Sequence, residues 1–206
     1  MCSSWVLHAQ SAKKQSDSTH QESTLNRTDF NNRKQGTWFF KHPARMGEPA
    51  YAEFGNYQDD LKTGLWYKVD ADGVILASEN YQRNVLHGTA QYYKNGRLVC
   101  VGTYRGLNPD NKFDSIEVVD INTGEVYLAV VPSERGTTKH GIWRYYDPVT
   151  GHMIREEEYQ IDDLIYSNEF THATRADSAK VTKREELIRQ GKIKKGKTGK
   201  VRSYIY

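Results

Sequence analysis

Between Gln35 and Phe170 the chain repeats itself, and a repeat of this kind folds as a stack of one small unit copied along the sequence. Three segments open alike: Gly36-Thr37-Trp38-Phe39-Phe40, Gly64-Leu65-Trp66-Tyr67 and Gly141-Ile142-Trp143-Arg144-Tyr145-Tyr146. A fourth, His87-Gly88-Thr89-Ala90-Gln91-Tyr92-Tyr93, has lost the tryptophan. Each opening leads to a second glycine in a turn-like setting: Gly47, Gly73, Gly96 and Gly151. Gly124 marks a fifth turn whose unit is degenerate or an insertion. These glycines step by 26, 23, 28 and 27 residues. The uneven step argues for one hairpin per unit with variable outer loops, not for a rigid helical solenoid.

The residues around the turns specify hairpins. Asn95-Gly96 and Asp72-Gly73 accept the positive φ that a tight hairpin turn requires. Their flanks are rich in Trp, Tyr, Val and Ile, which suit a pleated surface. Even offsets from a turn share a face. Ile75, Ala77 and Tyr81 are therefore expected to line up, as are Leu98, Cys100 and Tyr104, and Val126, Leu128 and Val130 in the degenerate unit. On the first strands, Gly36, Trp38 and Phe40 share a face, as do Gly141, Trp143 and Tyr145. A glycine in such a row is expected to let a neighbouring ring lie flat on the backbone. The fold class expected is all-β: stacked β-hairpin repeats in an elongated, twisted antiparallel sheet, with a short C-terminal helix. At a strand spacing of about 4.8 Å, ten strands span roughly 45 Å.

Gly-x-Trp-x-Tyr, then Asn-Gly or Asp-Gly, then a tyrosine, then His-Gly, resembles the bacterial variant of the MORN repeat. That variant occurs in proteins often described as antitoxins of toxin–antitoxin systems. The clearest stretch is Lys62 to Gly106, with a second match at His140 to Tyr159. The resemblance implies stacked hairpins and binding rather than catalysis, with protein association and membrane lipids as the known uses of related repeats. The chain departs from the pattern at residues 107–139 and in an expanded first turn, Lys41 to Ala50.

Outside the repeats the composition changes. Residues 1–34 read as a flexible leader, polar from Ser11 to Asn32. Trp5-Val6-Leu7 followed by Ala9 resembles the end of a secretory signal. It favours export, to the periplasm or cell envelope, over a cytoplasmic location. Residues 35–170 form the repeat domain. Residues 171–206 hold a short helix, capped by Asp177 or Ser178 and ended by Gly191, and a basic tail. This last segment carries eleven Lys/Arg against three Asp/Glu, a net +8 in a chain of net +3. The body is therefore acidic and the tail basic.

Enzymatic chemistry finds little support. Gly191 to Thr198 matches a phosphate-binding loop by letter, but no buried strand precedes it and too few residues follow for the helix that loop requires. His87 and His140 are explained by the repeat. Glu156 and Glu158 alternate with Glu157 on a strand and are expected to face water. Cys100 reads as a buried structural thiol. No catalytic, cofactor or metal residues are assigned. The function expected is a non-catalytic scaffold for protein–protein interaction, antitoxin-like in type, with Trp66, Tyr92, Tyr93, Trp143, Tyr145 and Tyr146 as partner-binding candidates. The alternative is binding of anionic lipid or nucleic acid by Lys192, Lys194, Lys195, Lys197, Lys200 and Arg202. A homodimer joined through open sheet ends is a further expectation.

Overall fold

The computed structural model describes residues 25–170, 183–184 and 186–192. The strands are β1 (Arg27–Thr28), β2 (Lys34–His42), β3 (Tyr51–Gln58), β4 (Leu61–Asp70), β5 (Ile75–Gln82), β6 (Val85–Lys94) and β7 (Arg97–Gly106). They continue with β8 (Phe113–Val119), β9 (Val126–Pro132), β10 (Thr137–Lys139), β11 (Gly141–Tyr146), β12 (Met153–Gln160) and β13 (Asp163–Glu169). All but β8 and β9 belong to one open antiparallel sheet, ordered β1-β2-β3-β4-β5-β6-β7-β11-β12-β13, with β10 also on β7. Each strand pairs with its predecessor in the chain, except where the chain leaves after β7 and returns at β10. The all-β hairpin sheet expected from the repeat is what forms.

The opening glycines mark bulges. Glu79 pairs with Ala90 and Tyr81 with Leu86, so a two-residue step on β5 is matched by four on β6. Gly88, at φ 97°, sits inside that bulge. Gly64 occupies the same place on β4, and Gly141, the first residue of β11, lies in the step between the β10 and β11 pairings with β7. A bulge adds local twist and re-aims the side chains that follow it. The expectation that these glycines carry a flat ring is therefore corrected: nothing lies within 4 Å of a Cβ built on Gly36 or Gly64. The rings lie instead on Gly55 and Gly102, each on the strand preceding a tryptophan.

The turns at the other end of the units use a second device. Asp59-Asp60, Arg83-Asn84 and Ile161-Asp162 have positive φ at both positions, the hairpin turn that matches strand twist. The second residue of each then reaches back to the opening of the preceding unit. Asp60 Oδ1 accepts the Lys34 amide at 2.8 Å, Asn84 Oδ1 the Lys62 amide at 2.6 Å, and Asp162 Oδ1 the Lys139 amide at 2.7 Å. Their own amides donate back to the Lys34, Lys62 and Lys139 carbonyls.

One boundary differs from the sequence reading. The sheet begins at Arg27, inside the expected leader, because Asn26 ties down the edge of β2. Its amide donates to the Thr37 carbonyl, and its Oδ1 accepts the Phe39 amide at 2.8 Å. The degenerate unit is an insertion outside the main sheet. The Leu107 amide donates to the Gly136 carbonyl and closes its base, and β8 and β9 pair only with each other. Within it, Val126, Leu128 and Val130 share a face as expected, and that face is turned outward, 58 to 67% exposed. The opposite face of the hairpin is buried instead, in a cluster of Leu107, Ile116, Val118, Val131 and Ile161. The helix ends where Gly191 was expected to end it: the Gly191 amide reaches the Ile188 carbonyl and the Lys192 amide the Leu187 carbonyl. It rests on the face of β12 and β13. Its expected start and the rest of residues 171–206 lie outside the described residues, as do residues 1–24.

Ile161 holds the insertion to the sheet at a conformational cost. It has φ 51° and is 1% exposed. A β-branched residue in this region is strained by about 1–2 kcal/mol, whereas burying its side chain contributes roughly 2–3 kcal/mol. Ile161→Asn should relieve the strain yet lower stability by about 1 kcal/mol or more, because the buried contact is lost. Hydrogen exchange should quicken in β8 and β9 while β2 to β6 stay unchanged.

Candidate functional site

One face of the sheet carries a row in which each buried tryptophan has a glycine on the strand before it in the sheet. Register places Trp38, Gly55, Trp66, Glu79, Ala90, Gly102, Trp143 and Glu157 along it. Trp66 lies on Gly55 and Trp143 on Gly102, and they are 3% and 2% exposed. Ring nitrogens are satisfied by backbone carbonyls: Trp66 Nε1 donates to Asn56 at 3.2 Å and Trp143 Nε1 to Thr103 at 3.2 Å. Tyrosines stand edge-on at both sides, Tyr57 and Tyr81 around Trp66, Tyr104 and Tyr159 around Trp143. A lysine closes each station. Lys62 Nζ is 4.0 Å from the Trp66 ring centre and Lys139 Nζ is 4.3 Å from that of Trp143. Lys34 makes the weaker equivalent over Trp38 at 5.6 Å.

Trp66 and Trp143 are therefore fillings of the sheet, not contact surface, which corrects their assignment as partner-binding residues. Tyr92 is on the same face, half-buried, with its hydroxyl donating to Glu79 Oε1 at 3.0 Å. Tyr145 lies beneath Arg155, whose guanidinium carbon is 4.2 Å from its ring centre. Tyr93 donates to Gln91 Oε1 at 2.8 Å on the other face, and Tyr146 follows the bulge that ends β11. The six candidates do not converge on one site. Of the basic candidates, Lys192 is described and exposed; Lys194, Lys195, Lys197, Lys200 and Arg202 lie outside the described residues.

Where the tryptophan is lost, a polar cluster takes its space. Glu79 occupies the row position that Gly55 and Gly102 hold elsewhere, and Ala90 beside it is 1% exposed. The Glu79 carboxylate accepts from Tyr81 at 2.9 Å and Tyr92 at 3.0 Å, and Tyr104 lies 3.2 Å from the Tyr92 hydroxyl. Burial, reinforced by Glu79, raises the pKa of all three phenols above its ordinary value. They stay protonated and act as donors. Cys100, on the same face, is pushed up to about 11 by burial, which leaves it a weak nucleophile at neutral pH.

On the opposite face, Glu156 and Glu158 are 1% and 2% exposed, not in water as expected. Two arginines neutralise them. Arg144 Nε is 3.1 Å from Glu156, and Arg184 of the helix is 3.0 Å from Glu156 and 3.1 Å from Glu158. His87 Nδ1 accepts the Gly106 amide at 3.3 Å. Among the described residues no three His, Cys, Asp or Glu side chains gather as a metal site. A polar cleft of 290 Å³ lies between the Arg83 turn and the base of the insertion, but its charges are balanced, with Arg83 paired to Asp110 and Arg105 beside Asp114.

Free apolar surface is found on the insertion. Phe113, Val126, Leu128 and Val130 share one face and are 50 to 67% exposed. The outer edge of β8 is occupied at Val119, whose amide donates to Gln160 Oε1 at 2.6 Å and whose carbonyl accepts from Gln160 Nε2 at 3.1 Å. By ladder alternation, the amides and carbonyls of Val126, Leu128 and Val130 point to the other side, where no strand lies among the described residues.

The sequence reading missed the lysine stations and the ring-bearing glycines, although both were legible. Lys34, Lys62 and Lys139 each stand two residues before an opening glycine, and Gly55 and Gly102 two before a tyrosine. No protein-family model matches this chain, and no curated protein matches its sequence.

The tyrosine cluster predicts an alkaline limit. Phenols with a folded-state pKa above the ordinary value of 10.0 contribute stability that is complete below that pH and is lost as pH rises through the raised values. The melting temperature should hold level to about pH 9.5 and fall above pH 10, with tyrosinate absorbance at these positions rising together with unfolding. A full tyrosinate signal near pH 10 from a folded chain would contradict the cluster.

Proposed function

We propose that the chain is a non-catalytic repeat scaffold that binds another protein, antitoxin-like in the sense its repeats resemble, and that β9 of the insertion is the docking strand. The observation that carries this reading is the coincidence on β9 of an open edge and an exposed apolar row. An extended partner segment adds to such an edge by main-chain hydrogen bonds and draws specificity from alternate side chains. The apolar row includes exposed Glu117 opposite Leu128, with Glu125 at its end, so the fitting segment is apolar with basic residues. The rest of the sheet supports the reading by elimination: its aromatic rows are consumed by internal packing, and its buried charges are neutralised.

Leu128→Pro tests it. The Leu128 amide faces the free side, so proline there removes no ladder bond to β8 but blocks strand addition. Affinity capture from the native organism with wild-type chain, Leu128→Pro and Leu128→Thr should show a protein held by the first and third at high salt and lost by the second. Melting temperatures should agree within a few degrees. Equal retention by all three would remove β9 as the site. Retention only at low salt, abolished by truncation after Phe170, would place binding on the basic tail, where about six phosphate contacts give a log–log salt slope near −5.

A further inference from the structure

Glu156, Glu158 and Tyr166 form a recess on the sheet face opposite the tryptophan row, and one guanidinium fills it. Arg184 Nη1 donates to Glu156 Oε1 at 3.0 Å and Nη2 to Glu158 Oε2 at 3.1 Å. Its guanidinium carbon lies 4.1 Å from the centre of the Tyr166 ring. The recess is built by strands alone. Glu156 is fixed from beside by Arg144 Nε at 3.1 Å, and Glu158 pairs in register with Tyr166 on β13. Two carboxylates this deeply buried need a cation, and a planar fork over an aromatic face meets them better than an ammonium. Among the other described residues of the helix that delivers Arg184, Leu187 and Ile188 are only partly buried and the rest are exposed.

We propose that this recess is an arginine-binding site for a protein segment, occupied in cis by Arg184, so that the C-terminal helix acts as an intramolecular competitor for an arginine-bearing partner. The site is separate from β9 and does not depend on the scaffold reading, because it is defined by a ligand the chain itself supplies. A recess whose walls are strands, filled from a separate helix, can exchange its occupant without disturbing the sheet. A partner segment would need an arginine, and lysine would be a poor substitute because it lacks the fork that spans both carboxylates.

The probe is a fluorescein-labelled peptide of residues 180–193, titrated by anisotropy into the full chain. Arg184→Gln protein should bind it at least tenfold more tightly than wild type, whose site is filled. A peptide with Gln in place of Arg184 should lose at least tenfold in affinity for that variant, and a Lys peptide nearly as much. If Arg184→Gln does not fold, the wild-type chain still decides. In 15N-labelled wild-type protein, excess unlabelled peptide should shift the amide signals of residues 186–192 as the helix is displaced, while the Gln peptide leaves them in place. Equal affinity of both proteins for the peptide, no binding to the folded variant, or helix signals unmoved by excess peptide would each overturn the proposal.

Discussion

Each buried tryptophan of this sheet lies on a stretch of neighbouring backbone that carries no side chain. A Cβ built on Gly55 would clash with the face of the Trp66 ring, and one on Gly102 with that of Trp143. The contact joins the first strand of a unit to the last strand of the unit before it, so it is the link between repeats. Edge-on tyrosines and an overlying lysine then complete each station without a second layer of structure. An open sheet of this kind needs such a device, because a single layer has no opposing sheet to bury its apolar rows.

The same rule accounts for the break in the pattern. At Ala90 the preceding strand offers Glu79 in place of glycine, and an indole there would collide with the carboxylate. The small residue leaves the carboxylate room to accept from Tyr81 and Tyr92. What reads as a lost tryptophan is a large–small exchange between adjacent strands. The bulges at Gly64, Gly88 and Gly141 and the caps from Asp60, Asn84 and Asp162 keep the two strands in the register that this exchange requires.

Much of the fold was legible because its determinants are local. Asn95-Gly96 specifies its turn in two residues, and the spacing of Gly-x-Trp gives the unit. What was not legible depends on which strands become neighbours. The outward row of Val126, Leu128 and Val130 follows from the insertion packing its other face on Ile161, a contact between distant segments. The burial of Glu156 and Glu158 follows from Arg184, 26 to 28 residues further along. Alternation along a strand gives two faces, but it does not say which face a later segment will cover. Trp66 and Trp143 looked like contact surface for the same reason: their cover comes from a lysine whose place over the ring is set by a bulge. The surface open to a partner lies where the repeat is interrupted.

The central claim is that Gly102 is glycine because Trp143 rests on it, and a double-mutant cycle on these two residues tests it most directly. Gly102→Ala in the natural chain should cost about 2–3 kcal/mol, and Trp143→Ala about 3–5 kcal/mol. With Trp143 already alanine, Gly102→Ala should cost nothing, or stabilise the strand by about 0.5 kcal/mol. A coupling energy of about 2 kcal/mol or more in denaturant unfolding is the predicted result. Additive costs, with Gly102→Ala equally harmful in both backgrounds, would show that the glycine serves the backbone alone and would contradict the account.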